Sequence, residues 1–170
     1  MKIKFDPPRK YDALSIQEII PKDLLRFKRF VCYDCEKRPI NPFTGNFASS
    51  TNPESWGTIE DVLKAEYMFL NVVGIGIVLG NTPSGNLCGI DIDKCINEQG
   101  IIAPEALEII KFIDSYTEYS PSKKGFHILF YAKKKGNKCK NTKLKWCKCL
   151  EMYDGNHFFT ITGDKYDVEK

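Results

Sequence analysis

Hydrophobic residues fall into short runs separated by turn-forming clusters, and the spacing within the runs changes along the chain. Over residues 1–28, the apolar positions Ile19, Ile20, Leu24 and Leu25 predict an opening helix. Ser15 would cap it, with Glu18 three positions on, and Pro21 limits its length. Arg29 to Asp34 reads as a strand, and the turn-rich stretch from Lys37 to Trp56 as a long loop. Thr58, followed by Glu60 and Asp61, starts a short helix that reaches about Leu70. Gly74 to Leu79 and Leu87 to Asp93 are apolar strands on either side of a turn at Asn81 to Asn86, and the pair is expected to form a hairpin. Pro104 opens a helix carrying Leu107, Ile109, Ile110 and Ile113 at roughly helical spacing. Four more strands follow: Thr117 to Ser120, Gly125 to Ala132, Lys148 to Tyr153 and His157 to Thr162. A tight turn at Asp154-Gly155-Asn156 is expected to join the last two. Strands outnumber helices and most connections read as antiparallel, so the expected fold class is α+β. It would be one domain over residues 1–170, with a smaller N-terminal lobe (about 1–70) leading into a sheet (about 71–170).

Composition narrows the class. With 42% hydrophobic and 12% aromatic residues, the chain can bury a core, which argues against disorder. No apolar run approaches the ~18–20 residues that cross a bilayer, and the opening residues carry no secretory pattern. A cytoplasmic protein that binds no membrane is expected. Net charge is +3, but from Tyr119 to Leu150 there are ten lysines and no acid, which leaves −7 for the rest of the chain. Such a basic stretch suits a polyanion, although a solvated lysine-rich loop is the plainer reading of charge alone. Seven cysteines, an odd number, argue against a disulfide framework. Cys32 and Cys35 have CxxC spacing and Cys139, Cys147 and Cys149 a looser one. They read as reduced thiols packed like small hydrophobes rather than as zinc ligands.

Three segments carry candidate chemistry. In Gly89-Ile90-Asp91-Ile92-Asp93, period-two alternation puts both aspartates on one face of a strand and both isoleucines on the other. Neighbouring carboxylates repel unless a cation lies between them, and hard oxygen donors suit Mg²⁺ or Mn²⁺. A strand merely ending in two solvated acids explains the pattern equally well. The segment from Ser120 to His127 (SPSKKGFH) offers hydroxyls, ammonium groups and backbone N–H donors of the kind that hold phosphate oxygens. His127 alternates with Phe126 and Ile128 and so faces away from them. Glu151, in Leu150-Glu151-Met152-Tyr153, is the first acid after the lysine run. Set among apolar neighbours, it needs a partner, unless it faces solvent on an edge strand.

The order DxD, then SxSxxGxH, then an apolar strand bearing a Glu resembles the archaeo-eukaryotic primase superfamily. The closer likeness is to the primase-polymerase (prim-pol) domains of phage and plasmid replication proteins. It extends through Lys37 to Gly45 (KRPINPFTG), Ala48 to Pro53, Trp56, and Phe158 to Gly163 (FFTITG). This resemblance implies a mainly antiparallel, RRM-like catalytic sheet with helices and a smaller N-terminal α/β lobe. It implies metal ligation by Asp91, Asp93 and Glu151 at a two-metal Mg²⁺ or Mn²⁺ site, and contact of His127 with the incoming nucleotide. The implied reaction is template-directed nucleotidyl transfer, making or extending primers from dNTP or NTP on single-stranded DNA. The implied setting is a phage, plasmid or prokaryotic host, with a replicative helicase module on the same or another chain. His157 departs from the pattern, standing where these domains often carry an arginine.

Nucleotidyl transfer needs cationic and hydroxyl groups at the triphosphate. Ser120, Ser122, Lys124, Gly125 and His127 are the first candidates. Lys37, Ser49 and Ser50 could close over the nucleotide from the N-terminal lobe, and Phe158 could lie beside the sugar. Lys138, Lys140, Lys143 and Lys145 would track the template backbone, with Trp146 or the Phe158-Phe159 pair stacking on a base or sugar. Two other readings compete: a metal-dependent nuclease, which needs no triphosphate cradle, and a non-catalytic module that binds single-stranded nucleic acid.

Overall fold

In the computed structural model, which describes residues 13–167, ten strands and three α-helices build two antiparallel sheets. The N-terminal half contributes α1 (Ala13–Ile19), β1 (Phe30–Tyr33), β2 (Pro39–Ile40) and α2 (Ile59–Met68). Next come β3 (Gly74–Val78), β4 (Gly80–Thr82), β5 (Gly85–Asp93) and α3 (Pro104–Ile113). The chain ends with β6 (Tyr116–Tyr119), β7 (Phe126–Tyr131), β8 (Lys140–Asn141), β9 (Cys149–Tyr153) and β10 (Phe158–Ile161). The four-stranded sheet has the order β10-β3-β1-β2. The six-stranded sheet has the order β6-β7-β5-β9-β8, with β4 paired to β5. This mixture of antiparallel sheets with few helices agrees with the α+β class. No helix among the described residues is long and apolar enough to cross a membrane.

Local chemistry explains the helix boundaries. At α2, the Thr58 hydroxyl accepts from Asp61 N while the Asp61 carboxylate accepts from Thr58 N, a reciprocal cap. Glu60 and Asp61 add charge that suits the positive end of the helix. At α3, Pro104 occupies the first turn, and Asp114 ends the helix in the left-handed region. Of the opening helix expected over 1–28, residues 1–12 and the Ser15 side chain lie outside the described residues. Ser15 itself falls within α1 rather than ahead of it.

Two expected hairpins do not form, and each failure has the same cause. β3 does not pair with β5; it joins the four-stranded sheet, and only the short β4 folds back on β5. Likewise β9 and β10 enter different sheets, so the turn at 154–156 carries the chain from one sheet to the other. Gly80 and Gly155, both at positive φ, sit at these crossings and almost touch: a Cβ on Gly155 would meet the Gly80 Cα at 3.7 Å. The Arg29 guanidinium secures the first crossing by donating to the carbonyls of Val78 (2.7 Å), Leu79 (2.7 Å) and Asn81 (2.8 Å). Ser50 Oγ donates to Asn156 O (3.0 Å) at the second. A division near residue 70 therefore does not describe the sheets, because β3 and β10 complete the sheet that β1 and β2 begin.

The core has two large parts and a small third cluster of Val31, Trp56 and Val78. The first joins Phe30, Ile75, Ile77, Phe159 and Ile161 of the four-stranded sheet to Ile59 and Val62 of α2, and to Leu87 and Leu129 of the six-stranded sheet. The second lies on the opposite face of the six-stranded sheet, where Ile90, Ile92, Phe126 and Ile128 pack on Ala106 and Ile110 of α3. Along β5, one face therefore runs from buried Leu87, through Gly89, to Asp91 and Asp93. At Gly89 the sheets approach closely: a Cβ there would meet the Phe159 ring at 2.6 Å. One turn of the pleat further on, the apolar contact ends at Asp91.

Removing Arg29 should loosen the first crossing, since two half-buried carbonyls lose a charged donor. Arg29→Met is expected to cost about 2–4 kcal/mol, read as a lowered urea midpoint with unchanged slope.

Candidate active site where the sheets diverge

Strand register aligns one polar row across the six-stranded sheet. Glu118 on β6 pairs with His127 on β7, His127 with Asp91 on β5, Asp91 with Glu151 on β9, and Glu151 with Lys140 on β8. Directly paired residues share a face, so all five side chains stand on the face opposite α3. His127 Nε2 lies 3.9 Å from Asp91 Oδ1, and its Nδ1 lies 3.7 Å from Glu118 Oε1. Nδ1 is also 3.2 Å from the carbonyl oxygen of Thr160. A carbonyl can only accept, so Nδ1 carries the proton and Nε2 is the nitrogen turned toward Asp91.

Above Asp91, His127 and Glu151 opens a cleft of about 260 Å³. Its far wall is His157 and the start of β10, Phe158 to Thr160, and Lys37 reaches in from the loop after β1. Thr160 Oγ1 in this wall is buried and has no hydrogen-bond partner within the described residues. The His157 ring stacks flat on Tyr153, with centroids 4.0 Å apart, and burial pushes its pKa down, against the nearby charge of Glu151. It therefore stands uncharged at neutral pH.

The carboxylates are not equivalent. Burial holds the Asp91 carboxyl above its ordinary range; His127 opposes this, while Glu151 and Asp93 add to it. Burial also acts upward on Glu151, but the hydrogen bond and charge of Lys140, whose Nζ is 2.7 Å from Oε1, bring it below its usual value. Asp93 shares the Asp91 face at the rim, 3.4 Å from Lys148 Nζ. Among the described residues, no three His, Cys, Asp or Glu side chains converge into a metal-ligand cluster. Asp93 and Glu151 each turn to an ammonium group instead.

The remaining candidates are dispersed. Ser120, Ser122, Lys124 and Gly125 form the turn between β6 and β7, beside the Asp93 end of β5. The Ser120 and Ser122 hydroxyls bond at 3.1 Å, and Ser122 Oγ accepts from Lys124 N. Gly125 is required by close approach, as a Cβ there would lie 2.1 Å from Ile92 O. Lys37 and Phe158 line the cleft. Phe158 also packs against Val31, Trp56 and Val78. Ser49 and Ser50 do not reach the cleft: Ser49 Oγ bonds Thr51 Oγ1, and Ser50 lines a second cavity of about 400 Å³ with Arg29 and Asn156. Lys138, Lys143 and Lys145 are exposed, and Trp146 packs against the second core. Cys32 is buried in the first core, Cys35 is exposed, and Cys147 lies in the second core.

Glu118 escaped the sequence reading. It is wholly buried and accepts from the Tyr116 hydroxyl (2.9 Å), Thr162 N (2.9 Å) and Gly163 N (3.2 Å). The only signal was an acid inside a β-rich run, and its significance depends on pairing with β7.

A carboxyl whose pKa is raised by folding binds more protons folded than unfolded, over a window running upward from the ordinary aspartate value of 3.8. Stability then falls as pH rises through that window. With a chelator present, Asp91→Asn should therefore be more resistant to urea than the wild type at pH 7, and the gain should disappear below about pH 3.8. An equal difference at both pH values would contradict the assignment.

No family model matches the chain. Over 150 residues, 86% of its length, it is 35% identical to a DNA primase-polymerase of Nitratiruptor phage NrS-1. The chain spans 20% of that protein's length. The similarity is thus to a protein of the group that its DxD, SxSxxGxH and glutamate-bearing strands resemble.

Proposed function

We propose that the chain is the nucleotidyl-transfer domain of a DNA primase-polymerase, adding dNTP or NTP to a primer, or starting one, on a single-stranded DNA template. The observation that carries this reading is the in-register alignment of His127, Asp91 and Glu151 across β7, β5 and β9, with Asp93 two residues along the same face. Mg²⁺ or Mn²⁺ suits the donor set, because Asp91, Asp93 and Glu151 are hard oxygen donors on one surface, and burial, with smaller repulsion from Glu151 and Asp93, raises Asp91. Bound there, divalent ions would lower the pKa of the primer hydroxyl and neutralise the triphosphate.

The chain's own groups supply the rest. His127 presents Nε2 to the cleft, where it can meet a phosphate oxygen. The Ser120–Gly125 turn and Lys37 bracket the row with hydroxyls and ammonium groups. Thr160 Oγ1 is left for a ligand or water to satisfy. Lys140 and Lys148 hold Glu151 and Asp93 through exposed side chains that can turn away to phosphate. Lys138, Lys143 and Lys145 extend the same basic surface toward a template, and a helicase module is the natural partner for such a domain.

Incubation with primed and unprimed single-stranded DNA, nucleotides and Mg²⁺ or Mn²⁺ should yield extension ladders. An Asp91→Ala/Asp93→Ala variant should lose at least about a hundredfold in rate. Shortened template without extension would overturn the reading in favour of a nuclease. Phe158→Ala should weaken the discrimination between dNTP and NTP in the same assay, and an unchanged preference would remove Phe158 from sugar selection.

A further inference from the structure

Glu118 stands at the joint between the two walls of the cleft. It is a fully buried acid, costly unless its oxygens are satisfied, and three donors converge on them. Tyr116 Oη comes from its own strand. Thr162 N and Gly163 N come from the segment that leaves β10, the strand whose Phe158, Phe159 and Thr160 form the far wall. Glu118 also pairs in register with His127, the residue of the near wall, and its Oε1 lies 3.7 Å from His127 Nδ1. The same oxygen that accepts from Thr162 N thus faces the imidazole. The hydrogen-bond partner of His127 Nδ1 is Thr160 O, 3.2 Å away in the far wall. The Glu118 carboxylate faces the same ring nitrogen from just beyond hydrogen-bond length, and both groups are tied to the β10 segment.

We propose that Glu118 is a positioning residue that acts through His127. It keeps the proton on Nδ1, fixes the ring plane between β6 and β10, and so presents Nε2 to the phosphate of an incoming nucleotide. The nucleotide part rests on the reading above; the positioning part stands on the free protein.

The chain has two histidines, so a ¹⁵N-labelled sample gives two imidazole signals, assigned by comparison with His127→Ala. In its neutral form, His127 should carry the proton on Nδ1 in the wild type. In Glu118→Gln, and in Glu118→Asp, which keeps the charge but withdraws it from Nδ1, the ring should become a mixture of tautomers. Binding of dATP should be about tenfold weaker in either variant. In a His127→Ala background, the same change at Glu118 should have no further effect on dATP. An unchanged His127 spectrum in a folded Glu118 variant would overturn the proposal. So would equal losses of dATP affinity with and without His127, which would make Glu118 a purely structural staple. A changed spectrum with no dATP binding by any form, the wild type included, would leave the positioning role intact and defeat the nucleotide reading.

Discussion

The register of β5 between β7 and β9 is the constraint on which the cleft depends. Ile90 and Ile92 are held in the core under α3, and this obliges Leu87, Gly89, Asp91 and Asp93 to face the other way. A slip of one residue would push two carboxylates into that core and two isoleucines into the cleft, so burial on one face enforces polarity on the other. Gly89 then sets the depth. Lacking a Cβ, it lets Phe159 approach, closes the apolar contact between the sheets, and leaves Asp91 as the first residue beyond it.

Charge in the cleft is only partly offset within the sheet. From Glu118 to Lys140, the row alternates acid, histidine, acid, acid and ammonium, each one strand from the next. Asp91 lies between His127 and Glu151 in the row and is the carboxylate raised, chiefly by burial, whereas Lys140 holds Glu151 down. On the proposed reading, a divalent cation would relieve the repulsion at Asp91 and release Lys140 and Lys148 from Glu151 and Asp93. Glu118 lies at the other end of the row, beyond reach of that exchange, and connects it to β10.

What the sequence made legible was local. The shared face of Asp91 and Asp93, the orientation of His127 away from Phe126 and Ile128, and the cap at Thr58 all follow from periodicity over a few residues. What it hid was non-local. The switch of β3 and β10 into a second sheet depends on Gly80 meeting Gly155 some seventy residues away, and on Arg29 binding three carbonyls. A turn such as Asp154-Gly155-Asn156 reads the same whether it closes a hairpin or carries the chain between sheets. Glu118 looked like an ordinary strand residue because its meaning lies in the strand beside it. Lys140 looked like one lysine among ten, until β8 paired it with Glu151.

A structure of the protein with Mn²⁺ and a non-hydrolysable dNTP analogue tests the central claim most directly. Metal density is expected against Asp91, Asp93 and Glu151, with Lys140 released from Glu151 and the triphosphate between His127 and the Ser120–Gly125 turn. Metal or nucleotide bound elsewhere, with the Lys140–Glu151 pair intact, would contradict that claim.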